Sequence, residues 1–161
     1  MKEFIVVLVI QAGRLIITVT SRRLATAKQG DYKVEIIKKD IESREDIFLL
    51  VKKFYEKLLT DDTISYIFTD VAKIDLDHHL PILVDFWDMV LFGADTYRKN
   101  AIQPHMVLHQ KSSFEKHHFE TWLGYFNTTV DELFDGPVAF SAKQKAKSIA
   151  TIMQIKIAQM K

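Results

Sequence analysis

Six histidines and no cysteine set the terms for any metal chemistry in this chain. Without thiolates there is no zinc–thiolate site, no iron–sulfur cluster and no disulfide, so a metal centre would rest on imidazole and carboxylate. The histidines fall as His78–His79, His105 with His109, and His117–His118. His79, Leu83, Phe86 and Val90 are spaced by four, three and four, which sets an imidazole at the head of an apolar helix stripe. A histidine there either caps the helix start or brings its nitrogens to a buried partner. His105 and His109, four apart, share a face if helical, a spacing that suits zinc once further ligands join; no fixed further ligand is visible. His117 and His118 read as two solvated residues near a helix start, and His78 as exposed. Tyr55 sits beside another apolar stripe, where its ring can bury while its hydroxyl seeks a partner.

These residues combine most economically around a porphyrin. Such a pocket needs one neutral imidazole to give a lone pair to iron, a flat apolar slot, and donors across from that imidazole for a partly charged ligand. Eleven phenylalanines and two tryptophans can line the slot. A zinc enzyme would call for carboxylates and an open coordination position, and would have little use for so many aromatic rings.

The elements that must position these groups are helical from Asp40 onward. Only five glycines and three prolines interrupt 161 residues. Ser43-Arg44-Glu45-Asp46 predicts a capped helix start, followed by Ile47, Leu50, Val51, Phe54 and Leu58 at helical spacing. Thr63 to Asp70 reads as a connecting turn carrying Tyr66 and Phe68. A second helix is expected from about Asp77 to Phe92, with Pro81 in its first turn and Gly93 as its stop. A looser stretch from Ala94 to Pro104 leads into a short segment, His105 to Lys111. Ser112-Ser113-Phe114-Glu115 reads as a capping box opening a helix to about Phe134, with Phe119, Trp122, Leu123, Phe126 and Val130 inside. Ser141-Ala142-Lys143-Gln144 reads as the cap of a last helix.

Residues 1–39 differ. Phe4 to Ile10 and Leu15 to Thr20 are apolar and rich in β-branched residues, which suits a loose hairpin or an extension outside the fold. Arg14 argues against a membrane span. A secretory signal ending at Ala25-Thr26-Ala27 is the minor reading, because Arg14, Arg22 and Arg23 precede that site. A net charge of +1, with no dense basic run, gives no reason to expect nucleic acid or a membrane as partner. Apolar residues at 48% and charged residues at 27% describe an ordinary globular domain.

Residues 40–161 resemble the truncated haemoglobins, specifically their third group. The motifs that carry the likeness are Phe54-Tyr55-Glu56-Lys57, Tyr66-Ile67-Phe68, His79-Leu80-Pro81 with Asp85-Phe86-Trp87, Tyr97 to His105, and Phe119-Glu120-Thr121-Trp122-Leu123. The glycine pairs of the other groups are missing. The resemblance implies an all-α, two-over-two helical sandwich over 40–161, with 1–39 as a non-globin extension. It implies haem b (iron protoporphyrin IX) with His105 as proximal ligand. His109 is the alternative, because the segment from Met106 to Phe114 is longer than in the relatives. Tyr55, His79 and Trp122 would line the distal side, and Phe68, Leu83, Phe86 and Phe119 would close the pocket. Lys111 and Arg98 would reach the propionates. The implied ligands are oxygen, nitric oxide and carbon monoxide, with nitric oxide oxidation or peroxidase-like chemistry fed by a reductase or other electron donor. The absence of cysteine fits a cytoplasmic protein. Two other readings stand beside it: a histidine-rich helical zinc or di-iron protein, and a cofactor-free globin-like adaptor or sensor.

Overall fold

Runs of Val, Ile and Thr before Asp40 favour the pleated backbone over the helix, because their branched Cβ restricts χ1. The structure, a computed structural model, accordingly pairs β1 (Phe4–Gln11) with β2 (Arg14–Ser21) antiparallel, from Phe4 opposite Ser21 to Gln11 opposite Arg14. It describes residues 4–11, 14–21 and 38–160; the signal-cleavage reading at Ala25-Thr26-Ala27 lies outside these. The chain divides into two units, Met1–Lys39 and Asp40–Lys161. No helix among the described residues is long and apolar enough to cross a membrane.

The second unit is helical throughout: α1 (Arg44–Leu58), a π-helical turn (Ile67–Val71), α2 (Leu76–Phe92), α3 (Ile102–Lys111), α4 (Lys116–Leu133) and α5 (Pro137–Ala158). Helix α1 starts as its sequence dictates, with the Ser43 hydroxyl accepting the Asp46 N–H at 3.3 Å. Gly93, at φ +71°, ends α2 in the left-handed conformation a glycine adopts without penalty.

Several elements differ from the sequence expectation. The segment expected to be a turn around Phe68 carries the π-helical turn. Pro81 sits in the second turn of α2, because Asp75 rather than Asp77 provides the cap. Helix α3 begins at Ile102, so Pro104 occupies its first turn, where no backbone N–H is needed. Two caps also come from other residues. Ser112 closes α3, and the box opening α4 is Glu115 with His118. Helix α5 starts at Pro137, four residues before Ser141, because a distant carboxylate serves it: Asp40 accepts the N–H groups of Val138 and Ala139, both at 2.8 Å. Gly136 allows that approach, since a Cβ there would lie 2.4 Å from Asp40 Cγ.

The core lies where α1, α2, α4 and α5 meet. Phe126 and Val130 of α4 are fully buried against Leu50, Val51, Phe54 and Leu58 of α1, with Trp87 entering from α2. Helix α5 contributes Ala139, Ala142, Ala146 and Ala150, small side chains that let its backbone approach α4. Arg44 ties the start of α1 to Asp85 and Asp88 of α2.

Candidate functional site

Tyr55 faces the core from the last full turn of α1, the fourth, and only 6% of it is exposed. Burial removes water from its hydroxyl, which must then bond within the protein. The partner is Nε2 of His79, at 3.1 Å, on the first turn of α2. The two rings meet edge-on with centroids 5.6 Å apart. His79 therefore does bring a nitrogen inward, whereas its neighbour His78 turns outward to pair with Asp75 at 2.7 Å. Burial pushes the Tyr55 hydroxyl well above the ordinary tyrosine range, so it stays protonated. The His79 imidazole is pulled below the ordinary histidine value, first by burial and then by the positive charge His105 would carry. The two imidazoles are thus close enough to interact.

His105, in the first turn of α3, is exposed. Its Nδ1 is 2.6 Å from the Ala101 carbonyl oxygen, which accepts that N–H. The neutral ring then carries its free lone pair on Nε2, the arrangement a metal-binding imidazole needs. His109 is engaged in the opposite sense. Its Nδ1 accepts the N–H of Phe114 at 2.9 Å, so in the neutral ring Nε2 holds the proton.

The aromatic rings pack on one another and on Tyr55. Phe68, from the π turn, lies edge-on to Tyr55 at 5.7 Å. Trp122, half-buried on α4, is edge-on to Phe54 at 5.5 Å and stacked on Phe126 at 5.5 Å with planes 8° apart. Phe126 stacks in turn on Trp87 at 4.8 Å. Leu83, Phe86 and Phe119 are half-buried. Phe86 packs edge-on to Tyr97, and Phe119 lies beside Phe114. Phe119 also borders a cavity of about 620 Å³, between the α3–α4 turn and the end of α5, with His109, Gln154 and Ile157. Arg98 is committed to Asp95 through two hydrogen bonds, and Lys111 is exposed at the end of α3.

Among the described residues no group of three or more His, Asp or Glu side chains converges to hold a metal ion. The zinc or di-iron alternative therefore finds no ligand set there. A haem needs only one protein nitrogen, since the porphyrin supplies the rest. The donor chemistry of His105 and the half-buried apolar rings fit that demand.

One residue escaped the sequence reading. His118, expected to be solvated, is 7% exposed. Its Nδ1 accepts the Glu115 N–H at 2.9 Å and its Nε2 lies 3.2 Å from the Tyr66 hydroxyl. The signal was present: His118, Trp122 and Phe126 recur every four residues, which places them on one inward face.

The bacterial-like globin family model matches residues 39–158. A crystal structure of group III truncated hemoglobin from Campylobacter jejuni is similar at 25% identity with a TM-score of 0.67, over 75% of this chain and 95% of that one. No curated protein matches.

Proposed function

We propose, from the premise that this chain belongs to the bacterial-like globin family and is a haem-binding truncated haemoglobin of the third group, that His105 holds the haem and that Tyr55, His79 and Trp122 receive a diatomic gas. The hydrogen bond between buried Tyr55 and His79, set near His105, is the observation that carries this reading. Haem b, the form proposed here, supplies an iron that takes up oxygen, carbon monoxide or nitric oxide reversibly.

The residues do the rest. The Ala101 carbonyl holds the His105 ring in one tautomer and raises the basicity of Nε2. Tyr55 keeps its proton and can turn it toward a ligand that gathers negative charge. His79, kept neutral, positions that hydroxyl. The Trp122 indole N–H is a donor only. Phe68, Leu83 and Phe86 exclude water, which strengthens each of these bonds. The globin domain is residues 40–161, with 1–39 as an extension.

Two donors with an imidazole positioning one of them exceed what holding a small neutral ligand requires. Several charge-assisted hydrogen bonds slow ligand release and polarise the ligand's own bond. That favours turnover, either oxidation of nitric oxide to nitrate or peroxidase-like chemistry with an external electron donor. The test is a set of visible spectra of the ferric, ferrous and carbonmonoxy forms, with His105→Ala and His109→Ala beside the parent. A Soret band with a ferrous-carbonyl spectrum lost only in His105→Ala is expected. A colourless protein sinks the haem reading, and loss in His109→Ala alone moves the ligand to that residue.

A further inference from the structure

His118 is buried, uses both ring nitrogens, and belongs to no part of the gas site. Its side chain and that of Glu115 form a reciprocal box at the start of α4. The imidazole accepts the Glu115 backbone N–H, and the Glu115 carboxylate accepts the His118 backbone N–H. Because Nδ1 accepts an N–H, it cannot itself carry a proton. The neutral ring's proton is therefore on Nε2, which donates to the Tyr66 oxygen at 3.2 Å. One imidazole thus joins the α4 N-terminus to the residue that precedes the π turn.

Both ends of this link lead to the gas site within a turn. Two residues after Tyr66, Phe68 lies edge-on to Tyr55 at 5.7 Å. Four residues after His118, Trp122 packs on Phe54 at 5.5 Å, and Phe54 packs on Tyr55 at 5.3 Å. We infer that Tyr66 and His118 form a positioning pair for the distal donors, anchored to the α4 N-terminus when His118 is neutral and released from it when Nδ1 takes up a proton. The inference rests on the haem reading above.

The charge logic around the ring favours the neutral form. A proton on Nδ1 would face the Glu115 N–H and break the helix cap. The His117 ring lies 3.8 Å away, centroid to centroid, and opposes a second positive charge. The Glu115 carboxylate favours protonation, and the Tyr66 hydroxyl is neutral. Burial and His117 outweigh Glu115, so His118 titrates below the ordinary histidine value. Native protein holds the ring neutral, and acidification through that range frees the pair from the α4 cap.

The experiment is oxygen dissociation from the ferrous haem-loaded protein across pH, in the parent, Tyr66→Phe and His118→Asn. Asparagine can still accept the Glu115 N–H but does not titrate. The parent should release oxygen faster as pH falls from about 7 to about 5, the range of histidine titration. His118→Asn should lose that acceleration, with a release rate that no longer depends on pH and lies at or above the parent's neutral value. Tyr66→Phe, a milder change, should release oxygen faster at neutral pH. Histidine ring NMR on the parent should show the His118 resonance moving over the same pH range as the rate. Acid acceleration that persists in His118→Asn, with the Soret band intact, overturns the inference, as does an unchanged neutral rate in Tyr66→Phe. A protein that takes up no haem overturns the reading beneath it, and the inference with it.

Discussion

Tyr55 is where the chemistry is most exposed to a single atom. Its ring is a core residue, held edge-on by Phe54 and Phe68, so removing only the hydroxyl leaves the packing in place. A hydrogen bond to a charged group contributes about 1.5–3 kcal/mol. Tyr55→Phe should therefore speed oxygen dissociation by roughly tenfold to a hundredfold, at about 1.4 kcal/mol per decade. Stopped-flow release measures this, and an unchanged rate would remove Tyr55 from the distal set. Trp122→Phe makes the matching test of the indole N–H, because the ring remains stacked on Phe126. The identity of these residues could be read beforehand from their place in apolar stripes. Their partnership could not, since Tyr55 and His79 are 24 residues apart and meet only when α1 and α2 pack.

At the scale of elements, the helices were visible in the chain but several of their starts were not. Local caps such as Ser43 announce themselves, because donor and acceptor are three residues apart. The start of α5 depends on Asp40, almost a hundred residues away, and Ser141 is a decoy that lies inside the helix. Asp40→Ala should cost about 1–2 kcal/mol, as loss of an N-terminal cap does. Gly136→Ala should cost at least as much, on the order of 1–3 kcal/mol for a strained backbone, since φ is +150° there and Asp40 fills the space a Cβ needs. Chemical denaturation of both variants checks this, and a neutral Gly136→Ala would mean that Asp40 swings aside freely. The α4 start misled for a different reason: histidine is not a usual cap, and only its burial reveals that its nitrogen serves the backbone.

For the whole molecule, Phe126 is the residue on which most depends. It is fully buried, stacked between Trp87 and Trp122, and edge-on to Phe54, so one ring touches α1, α2 and the gas site. Phe126→Ala should destabilise the helical unit by about 3–5 kcal/mol through lost transfer energy and a residual cavity. Because Trp122 would lose its stacking partner, oxygen release should also quicken. Thermal melts followed by the Soret band and by far-ultraviolet circular dichroism measure the first effect. A small loss would show that the four helices close around the gap. The alanines of α5 serve the same core differently, and an apolar-pattern reading undervalues them because an alanine stripe carries little hydrophobic signal.

The sequence by itself determined the class of the protein: an all-helical domain from Asp40, a chemistry confined to imidazole, and a row of aromatic rings at helical spacing. These are local properties, written in periodicity and residue type. Tertiary structure alone decided which nitrogen of each histidine is free. His105 gives its Nδ1 proton to a carbonyl and keeps a lone pair on Nε2, while His109 and His118 spend theirs on backbone N–H groups. Tautomer follows from hydrogen-bond partners, and those partners are set by the packing of helices and the turns between them.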